Sequence, residues 1–271
     1  MCLPGTVEAV RKRVGDDGVP RITRRAALLG AAGAAAVATL PAPASAKKLG
    51  KNTQDLTHVF REGFPVYVGD APTRTTIFDF NPNGFYSQEW TFGEHSGTHM
   101  DAPGHFVPGG RHTPDITIAE LIVPVVVIDI SHKVPANPDA VVTIDDLVSF
   151  ERGHGRIPRG AAVFMYSGWE SRVGDPDAFK NGFHFPGFGI DALEWLLAHR
   201  DITAIGVDTL SLDFGASQTF DVHVTLLGAD KYGLENLANL SLIPARGSYA
   251  FVGVVPWEEG SGGPCRVVAH W

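Results

Sequence analysis

Eleven consecutive residues, His95-Ser-Gly-Thr-His99-Met-Asp101-Ala-Pro-Gly-His105, carry three histidines and an aspartate. Imidazole nitrogen and carboxylate oxygen are the ligand set of borderline and hard divalent metals. Four such side chains at steps of four, two and four residues therefore point to a metal site. The chain has 11 histidines in all, and an isolated one is more often a surface or satisfied core residue than a ligand. His58, His112, His132, His154 and His199 are read that way. Gly97, Pro103 and Gly104 make the cluster rich in turn formers, so a loop is expected there, folding several side chains toward one point.

The loop needs rigid supports. An aromatic-rich run, Phe85 to Phe92, reads as the strand that precedes it. Further strands are expected at Pro124–Ile130, Ala161–Tyr166, Ala204–Asp208 and Tyr249–Val255, with Arg266–His270 closing an edge. Helices fall between them. Thr143 followed by Asp146 makes a capping signal ahead of Leu147 and Val148. Ile190, Leu193, Leu196 and Leu197 share one face of a helix over Ile190–His199. Strands mixed with helices indicate an α/β fold. Asp208 and Asp213 follow the third of these strands. Each either orients a ligand histidine from behind or caps a turn.

The N-terminus reads differently. Thr23-Arg24-Arg25 precedes an apolar run from Ala26 to Leu40, and Ala44-Ser45-Ala46 supplies a cleavage pattern. Residues 1–46 are expected to be a signal peptide of the twin-arginine type, read by the twin-arginine export machinery. The apolar run, about 15 residues, falls short of the roughly 20 that span a bilayer, so no stable membrane insertion is expected. Residues 47–54 read as a flexible new N-terminus, and 55–271 as one domain. The mature protein would be periplasmic or secreted. Cys2 leaves with the leader, so Cys265 alone remains and no intrachain disulfide can form. A formal charge of −8 argues against nucleic acid as a partner. Gly-x-Ser-x-Gly is absent, which argues against a serine hydrolase elbow.

The pattern His-x-Gly-Thr-His-x-Asp-x-Pro-x-His resembles the signature of the cyclase family of metal-dependent hydrolases, which includes bacterial kynurenine formamidase and isatin hydrolase. Gly206-Val-Asp208-Thr-Leu-Ser-Leu-Asp213 is similar to the family's second block, and His223 with Glu235 to its third. The resemblance implies a single domain with a mixed β-sheet core and flanking helices, of the swivelling β/β/α type, assembled as a homodimer or homotetramer. It implies metal ligation by His95, His99, Asp101, His223 and Glu235, with two divalent cations, Zn2+ or Mn2+, per subunit as in the formamidase branch; the one-metal site of isatin hydrolase is the alternative. It implies His105 as the catalytic acid/base; a further ligand role for His105 is the alternative.

The reaction so implied is hydrolysis of a C–N amide bond in a small, aromatic, arylformamide-like molecule. The alternatives are ring opening of a cyclic amide or lactone, and metal or ligand binding without catalysis. A divalent cation lowers the pKa of coordinated water toward neutrality, and histidine suits both taking and giving a proton near pH 7. Trp90 and Phe106 are the candidate substrate-binding aromatics, from a wider set of Phe85, Tyr86, Phe183, Phe185 and Phe188, for which core packing is the competing role. Thr98 reads as structural, and His184 as a residue near the pocket mouth at most.

Overall fold

The computed structural model describes residues 52–271. The expected leader, 1–46, lies outside the described residues. Twelve strands run in chain order: β1 Thr53–Asp55, β2 Thr73–Phe78, β3 Ser87–Thr91, β4 His99–Asp101, β5 Ile122–Asp129, β6 Val141–Val142, β7 Ala162–Tyr166, β8 Gly187–Phe188, β9 Ala204–Val207, β10 Tyr232–Glu235, β11 Arg246–Val254 and β12 Gly262–His270. The three longest helices are α1 Ile144–His154, α2 Ile190–His199 and α3 Asp221–Gly228.

The main sheet has the order β1-β12-β11-β5-β7-β9-β10-β4. The central strands β5, β7, β9 and β10 are parallel. One side of β12 pairs with β11. Its other side pairs with β4 through Gly262–Pro264 and with β1 through Val268–His270. The β12–β4 pairing closes the sheet into a barrel. Two expectations change here. Residues 266–270 lie inside the sheet, between β11 and β1, and not at an edge. Thr53 and Gln54, expected to be part of a flexible N-terminus, belong with Asp55 to a strand in register with β12; of that segment, 47–51 lies outside the described residues.

Strand alternation sorts the core into two. Val125, Val127, Ala162, Phe164, Ala204 and Leu234 fill the barrel together with Met100. Their neighbours Val126, Ile128, Val163, Met165, Ile205 and Val207 face the other way, onto Leu147, Leu193 and Leu226 of the three helices. Parallel strands buried on both faces read as continuous apolar runs, as β5 and β7 do. Gly206 lies where a side chain would meet Phe164 Cδ1 at 2.8 Å, so glycine there leaves room for the ring in the barrel.

Helix α1 starts with the expected capping box: the Thr143 hydroxyl accepts from Asp146 N while the Asp146 carboxylate accepts from Thr143 N. Helix α2 has the bounds its apolar periodicity predicts, with Ala192, Leu193 and Leu196 buried. Among the described residues, no helix is long and apolar enough to cross a membrane.

Residues 74–91 form a compact unit of their own, the paired strands β2 and β3. Phe78 packs on Phe85 with ring centroids 4.8 Å apart, and Phe80 stacks on Tyr86 at 6.1 Å.

Candidate metal centre

The expected loop contains a strand. His99, Met100 and Asp101 form β4, held between β10 and β12. Alternation then sends Met100 into the barrel and His99 and Asp101 to the opposite face. Glu235 stands directly across from His99 in β10, and cross-strand partners project to the same face. Three of the ligand candidates are thus set by strand register. Glycine stands beside Asp101 on both neighbouring strands, as Gly233 and Gly262. A Cβ at Gly262 would lie 2.6 Å from His95 Cε1, so the close seat of that ring requires glycine.

His223 comes from the first turn of α3, beside β10. Phe220, just before the helix, has φ 53°, a conformation unfavourable for a bulky residue. No side chain at the helix's own N-terminus caps it. Asp213 does so from a distance: its Oδ1 accepts from Val222 N at 2.9 Å and its Oδ2 from His223 N at 3.1 Å. The same Oδ2 lies 2.6 Å from His223 Nδ1. One carboxylate thus performs both roles that the sequence left open, capping the helix and fixing the ring.

Asp208 does something else. Buried in the fold, it accepts from Ser167 Oγ at 2.6 Å and from Trp169 N at 3.1 Å. It ties down the chain after β7 and touches no histidine, so the expectation that it orients a ligand is corrected. Burial raises its pKa to about 6, although the Ser167 hydrogen bonds pull the other way.

Five side chains converge. His95, His99 and Asp101 present ligand atoms within 4.8 Å of one another, and so do Asp101, His223 and Glu235. Asp101 belongs to both groups. His99 Nε2 is 3.4 Å from both Asp101 Oδ1 and Glu235 Oε2. His223 Nε2 is 3.4 Å from Asp101 Oδ2 and 3.1 Å from Glu235 Oε1.

Two observations test whether these residues fit a cation. His99 Nε2 and Asp101 Oδ2 are buried without a hydrogen-bond partner, which is costly unless another group satisfies them. The donor set of three imidazoles and two carboxylates is the chemistry of a divalent metal. The outer nitrogens agree. His99 Nδ1 donates to Gly97 O at 2.9 Å and His223 Nδ1 to Asp213, so both rings turn Nε2 inward. The residues fit a divalent metal.

The electrostatics describe a cluster that balances its buried carboxylates with protons. Burial opposes charge on His99, but Asp101 and then Glu235 outweigh it and raise its pKa to about 9. On His223 the same contest with burial is won by Asp101, Asp213 and Glu235, and its pKa is also raised. Asp101, despite burial, is held well below the ordinary carboxylate range by the three histidines that surround it, His223, His95 and His99. Burial and the charge of Asp101 push Glu235 up.

His105 sits on a short 3-10 turn, Pro103–His105, and belongs to neither ligand group. Its ring stacks on His95 at 3.8 Å. Burial lowers its pKa to about 4, so the ring is neutral at pH 7.

A cavity of about 260 Å³ opens above the five ligand candidates, with Tyr67, Phe106, Leu210 and Phe220 in its wall. Phe106 stands 5.0 Å from the His223 ring, centroid to centroid. Trp90 belongs to the hairpin unit, where its ring lies 5.8 Å from Arg74 Cζ; the cavity wall is drawn from the large unit alone. Phe185 and Phe188 are core residues. Phe183 packs edge-on against Tyr67 at 5.0 Å. His184 pairs with Asp139 at 2.6 Å, away from the cavity wall. Thr98 donates to Asn236 O at 2.5 Å and accepts from His58 N, a structural role. Tyr67 and Phe220 were not singled out from the sequence, because an isolated aromatic carries no signal of where it folds.

A family model described as "Putative cyclase" matches residues 54–214. Isatin hydrolase of Roseibium aggregatum is 36% identical over 207 residues, which is 71% of this chain and 78% of that protein. Kynurenine formamidase of Bordetella pertussis is 28% identical over 194 residues, 69% of this chain and 83% of its own. The solved structure of isatin hydrolase A from Ralstonia solanacearum matches with a TM-score of 0.76 at 35% identity, over 80% of this chain and 90% of that one. With a family model matching more than half its length and a relative 36% identical over 71% of it, the chain belongs to the cyclase family.

Proposed function

We propose that this chain is a two-metal hydrolase that cleaves the C–N bond of a small, neutral, aromatic amide. The observation that carries the reading is the pair of ligand groups sharing Asp101 at the floor of an aromatic cavity. Zn2+ and Mn2+ both suit the donor set.

When bound, a divalent cation acidifies coordinated water and polarises a carbonyl oxygen. The chain's own residues do the rest. Tyr67, Phe106 and Phe220 offer flat apolar faces to an aromatic ring and keep bulk water from it. Neutral His105 takes a proton as the C–O bond forms and returns it to the departing nitrogen as the C–N bond breaks. Asp213 keeps His223 in one tautomer throughout.

Among the described residues, no lysine or arginine lines the cavity. A substrate bearing a free amino-acid carboxylate would find no basic side chain to pair with there. This favours a neutral cyclic amide of the isatin kind over an N-formyl amino acid of the kynurenine kind. A ring-opening lactonase is the second reading, supported by the same wall. Export through the twin-arginine route, with assembly into dimers or tetramers, is proposed alongside, from the leader and the family resemblance; N-terminal sequencing and sedimentation of the mature protein test it.

The experiment is metal analysis of the purified protein together with turnover of isatins, formanilides and aryl lactones. Isatin hydrolysis lost on chelation and restored by Zn2+ or Mn2+ is the expected result. Retained metal with no turnover of any of the three classes would overturn the catalytic reading in favour of binding alone.

A further inference from the structure

The three histidines of the centre are not presented alike. His99 and His223 give their Nδ1 to outer partners and turn Nε2 inward. His95 is reversed: its Nδ1 lies 2.6 Å from Asp101 Oδ1, and its Nε2 lies 3.0 Å from Ser261 Oγ. Ser261 is in turn held by Glu94, whose Oε2 accepts from Ser261 Oγ at 2.6 Å and from Ser261 N at 3.1 Å.

Proton accounting fixes the direction of this chain of bonds. A carboxylate only accepts, and a serine hydroxyl has one proton to give. With that proton donated to the Glu94 carboxylate, Ser261 Oγ can only accept from His95, so Nε2 carries a hydrogen. In the neutral ring the lone pair then sits on Nδ1, facing a carboxylate oxygen at 2.6 Å. Two lone pairs at that separation repel unless a proton or a metal cation is shared between them. Next in the chain, Gly262 supplies the clearance that lets the Cε1–Nδ1 edge approach, since a Cβ there would lie 3.0 Å from Nδ1.

We infer that His95 binds its cation through Nδ1, and that Ser261 and Glu94 are positioning residues that hold the ring in that orientation. The inference rests on the metal reading above and extends it to two residues outside the ligand set. His95 keeps 27% of its side-chain surface exposed, so packing alone does not immobilise it as it does His99. A ligand histidine whose outer nitrogen is tethered binds metal more tightly than a free one, by about 10–100-fold.

The test uses the full mature protein with Zn2+ as the probe. A long-range proton–nitrogen spectrum of the zinc-loaded protein should show Nδ1 coordination and Nε2–H at His95, against Nε2 coordination at His99 and His223. In Glu94→Gln and in Ser261→Ala, zinc affinity measured by chelator competition should fall about tenfold. The double variant should fall no further than either single one, because both act through the same bond. Melting of the chelator-treated proteins should be unchanged, which a merely structural role would not allow. Coordination of His95 through Nε2, or affinities of both single variants within twofold of the parent, would overturn the inference while leaving the metal reading intact. Failure of the parent protein to take up zinc or manganese would instead defeat the metal reading, and this inference with it.

Discussion

The two halves of the centre meet at Asp101 and are held by opposite means. On the His223 side everything is interior: His223 and Asp213 expose 5% and 3% of their side chains, and Asp213 ties the ring to the first turn of α3. On the His95 side the ring is partly exposed, and a serine at the head of β12 and a glutamate from the connecting loop hold its outer nitrogen. The inner half is fixed by the same contacts that fold the barrel and its helix. The outer half is fixed by contacts that can be changed without disturbing the core. Damage to the inner support should therefore weaken metal binding and folding together, and damage to the outer support should weaken metal binding alone.

The largest effect is expected where the halves join. Asp101→Ala should remove metal from both and take activity below detection, since each group loses a ligand at once. Elemental analysis of the folded variant checks this; one full equivalent of metal retained would show that the halves bind independently. His105→Ala should come next, with turnover lowered about 10²–10⁴-fold and metal content near normal. Loss of metal there would recast His105 as a ligand and move it into the outer half.

Asp213→Ala is the sharper test of the contrast. It should lower metal affinity about 10–100-fold and also destabilise the chelator-treated protein by about 1–2 kcal/mol, the usual effect of losing a helix cap. Titration with Zn2+ and thermal melts read the two effects separately. A fall in affinity with an unchanged melt would mean that the inner half is no more tied to folding than the outer one.

The sequence shows these halves unequally, for physical reasons. The spacing of His95, His99 and Asp101 reads as a ligand set because nearby residues can reach one ion in many backbone shapes. That His99–Asp101 would be a strand was not legible. Three residues between glycines and prolines have little local preference, and the pairing that makes them β4 comes from strands more than 130 residues away in the chain. The helices α1 and α2 were legible because a capping box and an apolar period are local signals. Asp208 and Asp213 look alike in Gly-Val-Asp-Thr-Leu-Ser-Leu-Asp; only the fold sends one to Ser167 and the other to His223. Ser261 had no signal at all, being 166 residues from the ring it holds.

Asp208 supplies the control that belongs to neither half, and its effect on the centre should be the smallest. Its folded pKa of about 6 lies above the ordinary aspartate value of about 3.9, so the folded state favours its protonated form. Its contribution to stability is full below about pH 4 and fades as pH rises through about 6. Asp208→Asn has no such titration. The stability of the parent relative to that variant should therefore fall between about pH 4 and 6, by up to about 1.4 kcal/mol per pH unit, and stay level above. Urea melts of both proteins in chelator at several pH values measure it, and a difference that is flat or of opposite slope would refute the assignment. Metal content of Asp208→Asn at pH 7 should match the parent. A loss there would show that the anchor after β7 is felt at the centre, and the division into an inner half set by folding and an outer half set by surface contacts would have to be redrawn to include it.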